Sequence, residues 1–486
     1  MSNVLNGLNP QEIWKIFGEI CNIPHPSKKE EKISEYTVAF GKRLGLETIV
    51  DEVGNVIIKK PATKGMENRK TIILQSHLDM VPQKNSDVNH DFEKDPIVPR
   101  IEGEWVKATG TTLGADNGIG AAATLAILES KNVEHGPIEA LFTIDEETGM
   151  TGAFGLKSGL LDGDILLNLD SEDEGELYIG CAGGVDSNIC LKYTEESIPS
   201  NVTAYKITVK GLLGGHSGLD IILQRGNSIK IINRLLWNSS NKYQLKLSSI
   251  QGGSLRNAIP REAFATVVVP NENKSEFEKY VIEYEKTIKT ELIRVDKNVS
   301  VKAEQVELPK TIINPETANK LYKGLYACPN GVYGMSNDMI GLVETSNNLA
   351  LVESKNGKII IQNLQRGSVE SLKEDLSDMI RCVFESIGAE VVNEGAYPGW
   401  KPNVDSEILS LMKEVYQKLY GRTPEVKAIH AGLECGLLGS VYPKWDMISF
   451  GPTIRSPHSP DERVNIESVD KFWKYLKETL KNAPVK

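Results

Sequence analysis

A chain of 486 residues can bury more than one core, and two domains is the natural expectation. Its 40% hydrophobic and 25% charged residues are those of an ordinary soluble globular protein, and a net charge of -11 supplies no basic field, so neither nucleic acid nor an anionic membrane is an expected partner. The opening M-S-N-V-L-N-G-L-N-P-Q-E lacks the basic start and apolar core of a secretory signal, no apolar run is long enough to span a bilayer, and the six cysteines show no C-x-x-C spacing. The expected setting is the cytoplasm, and any metal must be held by His, Asp and Glu.

Taken in order, Asn9, Pro10 and Glu12 read as cap, first-turn proline and third-position acid of a helix through about Cys21. Ser27 reads as the cap of a second helix through about Leu44, and residues 47–60 alternate around V-G-N like a hairpin. The next stretch, T-I-I-L-Q-S-H-L-D over residues 71–79, is a buried strand that delivers His77 and Asp79 from one face while Leu78 turns into the packing. An imidazole and a carboxylate so spaced suit a metal ligand and the partner that orients it; a satisfied histidine beside a solvated aspartate is the plainer alternative.

Residues 80–103 read as a surface excursion whose acids Asp87, Asp91, Glu93 and Asp95 form a solvated face, with His90 exposed among them. In L-G-A-D-N-G-I-G-A-A-A-T, Gly114, Gly118 and Gly120 surround Asp116 at the start of an Ala-rich helix, where the dipole favours an anion. A strand over 138–144 ends in Asp145, Glu146 and Glu147, and another over 165–169 ends in Asp170. Three strands thus finish in candidate ligands, as expected where α/β sheets place sites beyond the carboxyl ends of their strands.

From about residue 185 the texture changes. Residues 203–305 read as strand, helix, two hairpin strands, helix and strand, and residues 315–393 give a similar order, which implies an inserted domain of two related halves. Tyr397-Pro398-Gly399-Trp400 reads as the exit, after which a helix over 406–420, strands over 426–430 and 446–450 and a closing helix from about Ser468 resume the α/β texture. His458 enters in a loop stiffened by Pro457 and Pro460. The expected fold is α/β: a catalytic domain of residues 1–185 and 400–486, with a central mixed sheet flanked by helices, and a duplicated α+β lid over residues 186–399.

Collected, His77, Asp116, Glu147, Asp170 and His458 are a sulfur-free set suited to two cations sharing a carboxylate. Such a pair can polarise a carbonyl and generate hydroxide, and Glu146 is the natural base beside it. For the run Asp145 to Glu147 alone, a solvated helix start is the simpler reading.

The segments S-H-L-D-M-V, G-A-D-N-G-I-G, D-E-E-T-G-M-T-G-A, L-N-L-D-S-E, G-G-H-S-G and H-S-P-D-E-R resemble, in order and over nearly the whole chain, the motifs of the co-catalytic zinc exopeptidases of the aminoacylase and carboxypeptidase clan. The resemblance implies a zinc-exopeptidase-like catalytic domain, two Zn2+ per chain with Mn2+ or Co2+ as substitutes, and a small peptide substrate. It implies that His77, Asp116 and Asp170 bind one zinc and Asp116, Glu147 and His458 the other, with Asp79 orienting His77. Glu146 would move the proton from water to the leaving amine, and a cis peptide would join Asp116 to Asn117. His216 of G-G-H-S-G would stabilise the oxyanion, and Asn257 and Arg366 would bind the substrate's C-terminal carboxylate.

H-A-G-L-E-C-G, with His430 and Glu434, resembles the dipeptidase branch of the clan, so the expected reaction is hydrolysis of unblocked dipeptides, among them β-alanyl-histidine and others ending in histidine. There Glu434 would meet the free amino group; a structural acid near a helix start is the alternative. Substrate is expected to draw the lid and His216 onto the metals. Whether His216 acts within its own chain or across a homodimer is left open. His25 and His135 lack metal-like neighbours and read as structural or exposed. A tripeptidase or an N-acyl amino acid deacylase of the same clan is the near alternative. An NAD(P)-dependent oxidoreductase is the remote one: Gly114, Gly118 and Gly120 have dinucleotide-turn spacing, but Asp116 stands where pyrophosphate would approach, and the pair Tyr397 and Lys401 encloses Pro398 and Gly399. A non-catalytic binding protein on the same fold would have no need of all five ligands and the acid.

Overall fold

The apolar run I-I-L-Q-S-H folds as the strand Ile72–His77, buried along its whole length within an eight-stranded mixed sheet. In the computed structural model, which describes residues 4–486, it lies parallel to Ile138–Thr143 on one side and Ile165–Asn168 on the other, and Asp446–Ser449 continues the parallel set. Val56–Lys60, with its hairpin partner Glu47–Val50, joins antiparallel beyond Ile138–Thr143. Glu176–Cys181 and Glu425–Ile429 form the far edge. Register matters for function: His77 stands opposite Thr143, and Gln75 opposite Asn168. The residues that follow these three strands therefore leave the sheet side by side.

The helix Ala115–Glu129 packs on Ile72–His77 and on the helix Gln11–Cys21. Its small residues are what permit the approach. A Cβ at Gly118 would stand 2.9 Å from the Phe17 ring, and one at Gly120 would stand 2.6 Å from the Leu169 carbonyl oxygen. Glu407–Tyr420 and Ile466–Lys481 pack on each other, each opened by a side-chain cap, Ser406 and Asn465. Three sequence expectations are corrected. Asn9 does not cap the first helix: Pro10 stands at the cap position, the helix runs Gln11–Cys21, and no side chain caps it. Ser27 caps no helix: Lys28 turns the chain with φ 67°, the helix runs Glu31–Arg43, and the Ser27 hydroxyl donates to Asp79 Oδ2 at 2.8 Å. His90 is half-buried rather than exposed, its ring edge-on to Phe92 at 4.5 Å between centroids. The excursion also ends in a hairpin, Pro99–Glu102 with Trp105–Ala108, which pairs with Arg463–Asn465.

The chain folds as two compact units. The first holds residues up to Gly180, Pro402–Ala428 and Leu433–Lys486; the second holds Cys181–Lys401 and Ile429–Gly432. The second unit is built on a nine-stranded antiparallel sheet made of two halves with the same order of elements. One half is Val202–Lys210, helix Ser228–Tyr243, Lys246–Gly252, Ala263–Pro270, helix Lys274–Glu291 and Ser300–Val306. The other is Gly183–Lys192, helix Pro315–Ala327, Val343–Lys355, Lys358–Gly367, helix Glu370–Glu385 and Glu390–Tyr397. In each, the first strand lies between the third and the last. The halves meet where Gln251 and Gly252 pair with Glu353 and Val352. One half is thus inserted into the other after its first strand. No helix among the described residues is long and apolar enough to cross a membrane.

The close approach at Gly120 makes a test of the first unit's packing. Gly120→Ala forces a methyl group against the Leu169 carbonyl, and its expected cost is about 1–3 kcal/mol, read as a lower midpoint in chemical denaturation.

Candidate metal centre

His77 is the last residue of its strand, and Asp170 lies two residues past the end of Ile165–Asn168. After Ile138–Thr143 the chain turns through Asp145, at φ 52°, into the one-turn helix Glu146–Gly149. Asp116 enters from the start of Ala115–Glu129, where Gly114 at φ 71° precedes it and the Asp116–Asn117 peptide is cis, in agreement with the resemblance. His458 comes from the loop between Ile454–Arg455 and Arg463–Asn465, with φ 57°.

These side chains converge around Asp116, which divides its two oxygens between two groups. Oδ1 lies 3.3 Å from His77 Nε2, itself 3.3 Å from Asp170 Oδ1. Oδ2 lies 3.2 Å from His458 Nε2, itself 3.0 Å from Glu147 Oε2. One ligand atom from each of His77, Asp116 and Asp170 lies within 4.8 Å of the others, and the same holds for Asp116, Glu147 and His458. Glu146 presents an oxygen within the same 4.8 Å of atoms of His77 and Glu147. Glu147 Oε1 is buried with no hydrogen-bond partner. Two imidazoles and three carboxylates with an unpartnered buried oxygen fit a pair of divalent cations with nitrogen and oxygen ligands.

The electrostatics follow from crowding acids where water is scarce. Burial pushes the Glu146 carboxyl well above the usual glutamate range, against the pull of His77 and with the help of Asp170, Glu434 and Glu147. Burial likewise raises Glu147 and Asp170. Asp116 is held low despite burial by hydrogen bonds from His458 and His77, and those with Asp116 and Glu147 push the His458 imidazole up to about 11. The pocket favours any positive charge placed in it, a proton or a cation.

Around the cluster, backbone N–H groups are aimed at carboxylates. His77 Nδ1 lies 3.0 Å from the Asp79 carbonyl oxygen and 3.3 Å from Asp79 Oδ1. The Asp79 oxygens also accept the N–H groups of Glu146 and Glu147 at 3.0 and 3.2 Å, so one acid holds a histidine and the acidic turn together. Sequence reasoning passed over Glu462, whose carboxylate receives four backbone N–H groups of the segment ending at Asp116. Nothing local distinguishes it from its exposed neighbour Asp461.

Glu434 begins the helix Glu434–Val441 at 2% exposure. Its Oε2 accepts from Gln75 Nε2 at 2.7 Å and Thr143 Oγ1 at 2.9 Å, while Oε1 is buried and unpartnered. Burial, with Asp170 and Asp79 nearby, pushes its carboxyl up to about 8. His25 and His135 are buried, their Nδ1 atoms 2.5 and 2.7 Å from the carbonyl oxygens of Ile23 and Gly136.

The second unit gathers its own polar set. His216 Nδ1 accepts from the N–H groups of Gly218 and Leu219 at 3.2 and 3.1 Å, which puts the imidazole proton on Nε2. Arg366 is 5% exposed and donates to Ser217 Oγ at 3.2 Å and to the Tyr397 hydroxyl at 2.8 Å. The exposed Asn257 accepts from the Ser217 N–H at 2.8 Å through its carbonyl, so His216, Asn257 and Arg366 share one neighbourhood. His430 shares a 2.7 Å hydrogen bond with Ser346; burial, Arg366 and His216 push it down to about 3.

The profile of Peptidase family M20/M25/M40 matches residues 73–482. Over 482 residues, 99% of each protein, the chain is 48% identical to the cytosol non-specific dipeptidase of Escherichia coli (strain K12). The crystal structure of aminoacylhistidine dipeptidase from Vibrio alginolyticus is 48% identical, with a TM-score of 0.97 over 99% of this chain and 98% of that one. An aminopeptidase from Bacillus cereus, 17% identical with a TM-score of 0.58 over 98% of each chain, shares the fold.

Asp79→Asn tests the support of the centre. An amide turns an NH2 group toward N–H donors, so at least one of the four groups held by Asp79, the Ser27 hydroxyl, the His77 ring and the N–H groups of Glu146 and Glu147, loses its acceptor. The expected outcome is a loss of about 10–100-fold in affinity for divalent cations, measured by chelator competition.

Proposed function

The chain belongs to peptidase family M20/M25/M40, and from that premise we propose a cytoplasmic dinuclear metallodipeptidase that hydrolyses unblocked dipeptides, including β-alanyl-histidine and others ending in histidine. The carrying observation is the division of the Asp116 carboxylate between two histidine-containing half-sites. Similarity along the whole length to a protein named cytosol non-specific dipeptidase supports the substrate class and the compartment.

His77, Asp116 and Asp170 would hold one cation, and Asp116, Glu147 and His458 the other. Zinc is the proposed metal, with manganese or cobalt as substitutes, because such ligands accept all three. When bound, the pair supplies Lewis-acid polarisation of the scissile carbonyl and acidifies water. Glu146, beside both half-sites and required by neither, takes the proton from the attacking water and delivers it to the leaving amine. His216, with its proton on Nε2, donates to the oxyanion of the tetrahedral intermediate. Arg366 and Asn257 bind the C-terminal carboxylate, and the free Oε1 of Glu434 meets the substrate ammonium. A deacylase substrate would bring no ammonium to that acid, which favours dipeptides over acylated amino acids.

Metal content by mass spectrometry, with hydrolysis of dipeptides, tripeptides and N-acyl amino acids, tests this. The expected result is two cations per chain, cleavage of dipeptides ahead of the other classes, and loss of activity with a chelator. Glu146→Gln should keep both cations and lose about 10²–10⁴-fold in kcat. Absence of cations and of cleavage after addition of zinc, manganese or cobalt would overturn the proposal. Glu434→Gln should raise KM for dipeptides about tenfold, the equivalent of roughly 1.4 kcal/mol; an unchanged KM would remove the ammonium role.

A further inference from the structure

Glu462 stands four residues beyond His458, in neither ligand set, and is 2% exposed. Both its oxygens serve one other segment. Oε2 accepts the N–H groups of Leu113 at 2.7 Å and Gly114 at 3.0 Å, and Oε1 accepts those of Ala115 at 2.7 Å and Asp116 at 3.2 Å. These groups open the helix Ala115–Glu129, where no intrahelical acceptor exists and a negative charge complements the dipole. Four charge-assisted hydrogen bonds offset the burial of the acid.

The other end of the contact is the His458 loop. Ser456 and His458 are both left-handed, at φ 55° and 57°, a conformation that non-glycine residues keep only where their surroundings enforce it. The Glu462 N–H closes this loop on the Ser459 carbonyl at 3.0 Å. Asp116 is secured on its other side by a separate device: Asn117 Nδ2 donates to the Leu169 carbonyl at 3.2 Å and to the Asp170 side chain. Asn117 therefore ties Asp116 to the segment of Asp170, and Glu462 ties it to the segment of His458.

We propose that Glu462 is a positioning residue that sets the separation of Asp116 and His458, and thereby the cation affinity of the Asp116, Glu147 and His458 half-site, without being a ligand. This rests on the dinuclear reading of the centre. Because Asn117 acts independently, loss of Glu462 weakens one half-site and spares the other. A glutamine cannot substitute: it has one acceptor oxygen, and its NH2 group would face N–H donors. An aspartate keeps the charge but is a methylene short.

The test titrates metal-free wild type, Glu462→Gln and Glu462→Asp with zinc against a chromophoric chelator, with thermal melts to establish that each protein is folded. Wild type should bind two cations. Folded Glu462→Gln should bind one at wild-type affinity and the second about 10–100-fold more weakly, with Glu462→Asp between them. Adding Glu462→Gln to His458→Ala, which already lacks that half-site, should leave the remaining cation's affinity unchanged. Two unchanged affinities in folded Glu462→Gln, or two that fall by the same factor, would overturn the clamp alone. Fewer than two cations on wild type would overturn the dinuclear reading and the clamp with it. If Glu462→Gln does not fold, Glu462→Asp carries the same outcomes.

Discussion

The division of the Asp116 carboxylate between two histidines is the constraint on which the first unit depends. It brings Asp170 and Glu147 to the same few ångströms, and three carboxylates in a water-poor pocket repel one another. Three of the five residues of the cluster stand at or just past the ends of parallel strands, whose spacing the sheet fixes. Asp116 and His458 do not: the segment of Asp116 is held by the distant Glu462 side chain, and the loop of His458 is closed by its own backbone.

The fate of each acceptor separates a metal centre from an ordinary acidic cluster. Glu30, Asp79 and Asp145 also come within 4.8 Å of one another and are buried. Their oxygens, however, are used by the protein: Glu30 accepts the N–H groups of Lys28 and Asp145, Asp145 accepts the hydroxyls of Thr148 and Thr151, and Asp79 holds the acidic turn. In the ligand cluster the acids face one another and the imidazoles, and Glu147 Oε1 has nothing. A buried acceptor without a donor is costly, and a cation is what this arrangement suits.

Much of this was legible in the sequence. A buried apolar strand followed by polar residues is a local signal, and it marked His77, Glu147 and Asp170; glycines around an aspartate marked Asp116. The order of the motifs identified the family and fold. What stayed hidden depends on partners far along the chain. Glu462 acts on a segment more than 340 residues away, and beside the exposed Asp461 it has no signature of its own. Ser27 looked like a helix cap because its true acceptor, Asp79, is distant in sequence, and because the turn at Lys28 leaves no trace in residue type. The strand Gly183–Lys192 pairs with Lys358–Gly367 and Glu390–Tyr397, so its place in the second half of the sheet follows from register alone.

The two units carry opposite electrostatic deficits. The first concentrates negative charge that a proton or a metal cation relieves. In the second, Arg366 is buried, its side chain donates to the neutral hydroxyls of Ser217 and Tyr397, and among the described residues it forms no ion pair. It lies on Lys358–Gly367 between Ser346 and Gly184, and a side chain at Gly184 would occupy the space of the Tyr397 ring whose hydroxyl receives the guanidinium. The effect of this charge is visible in its neighbours: after burial, Arg366 is what lowers His216 and His430. His216, which accepts two backbone N–H groups at Nδ1 and so carries its proton on Nε2, can donate to an oxyanion, and an unpaired buried guanidinium favours a carboxylate ligand over a neutral one. A free dipeptide carries both features, a carbonyl that becomes an oxyanion and a terminal carboxylate. In the role proposed for Arg366, a peptide blocked at its C-terminus would leave the guanidinium uncompensated, so that role predicts a preference for the free acid.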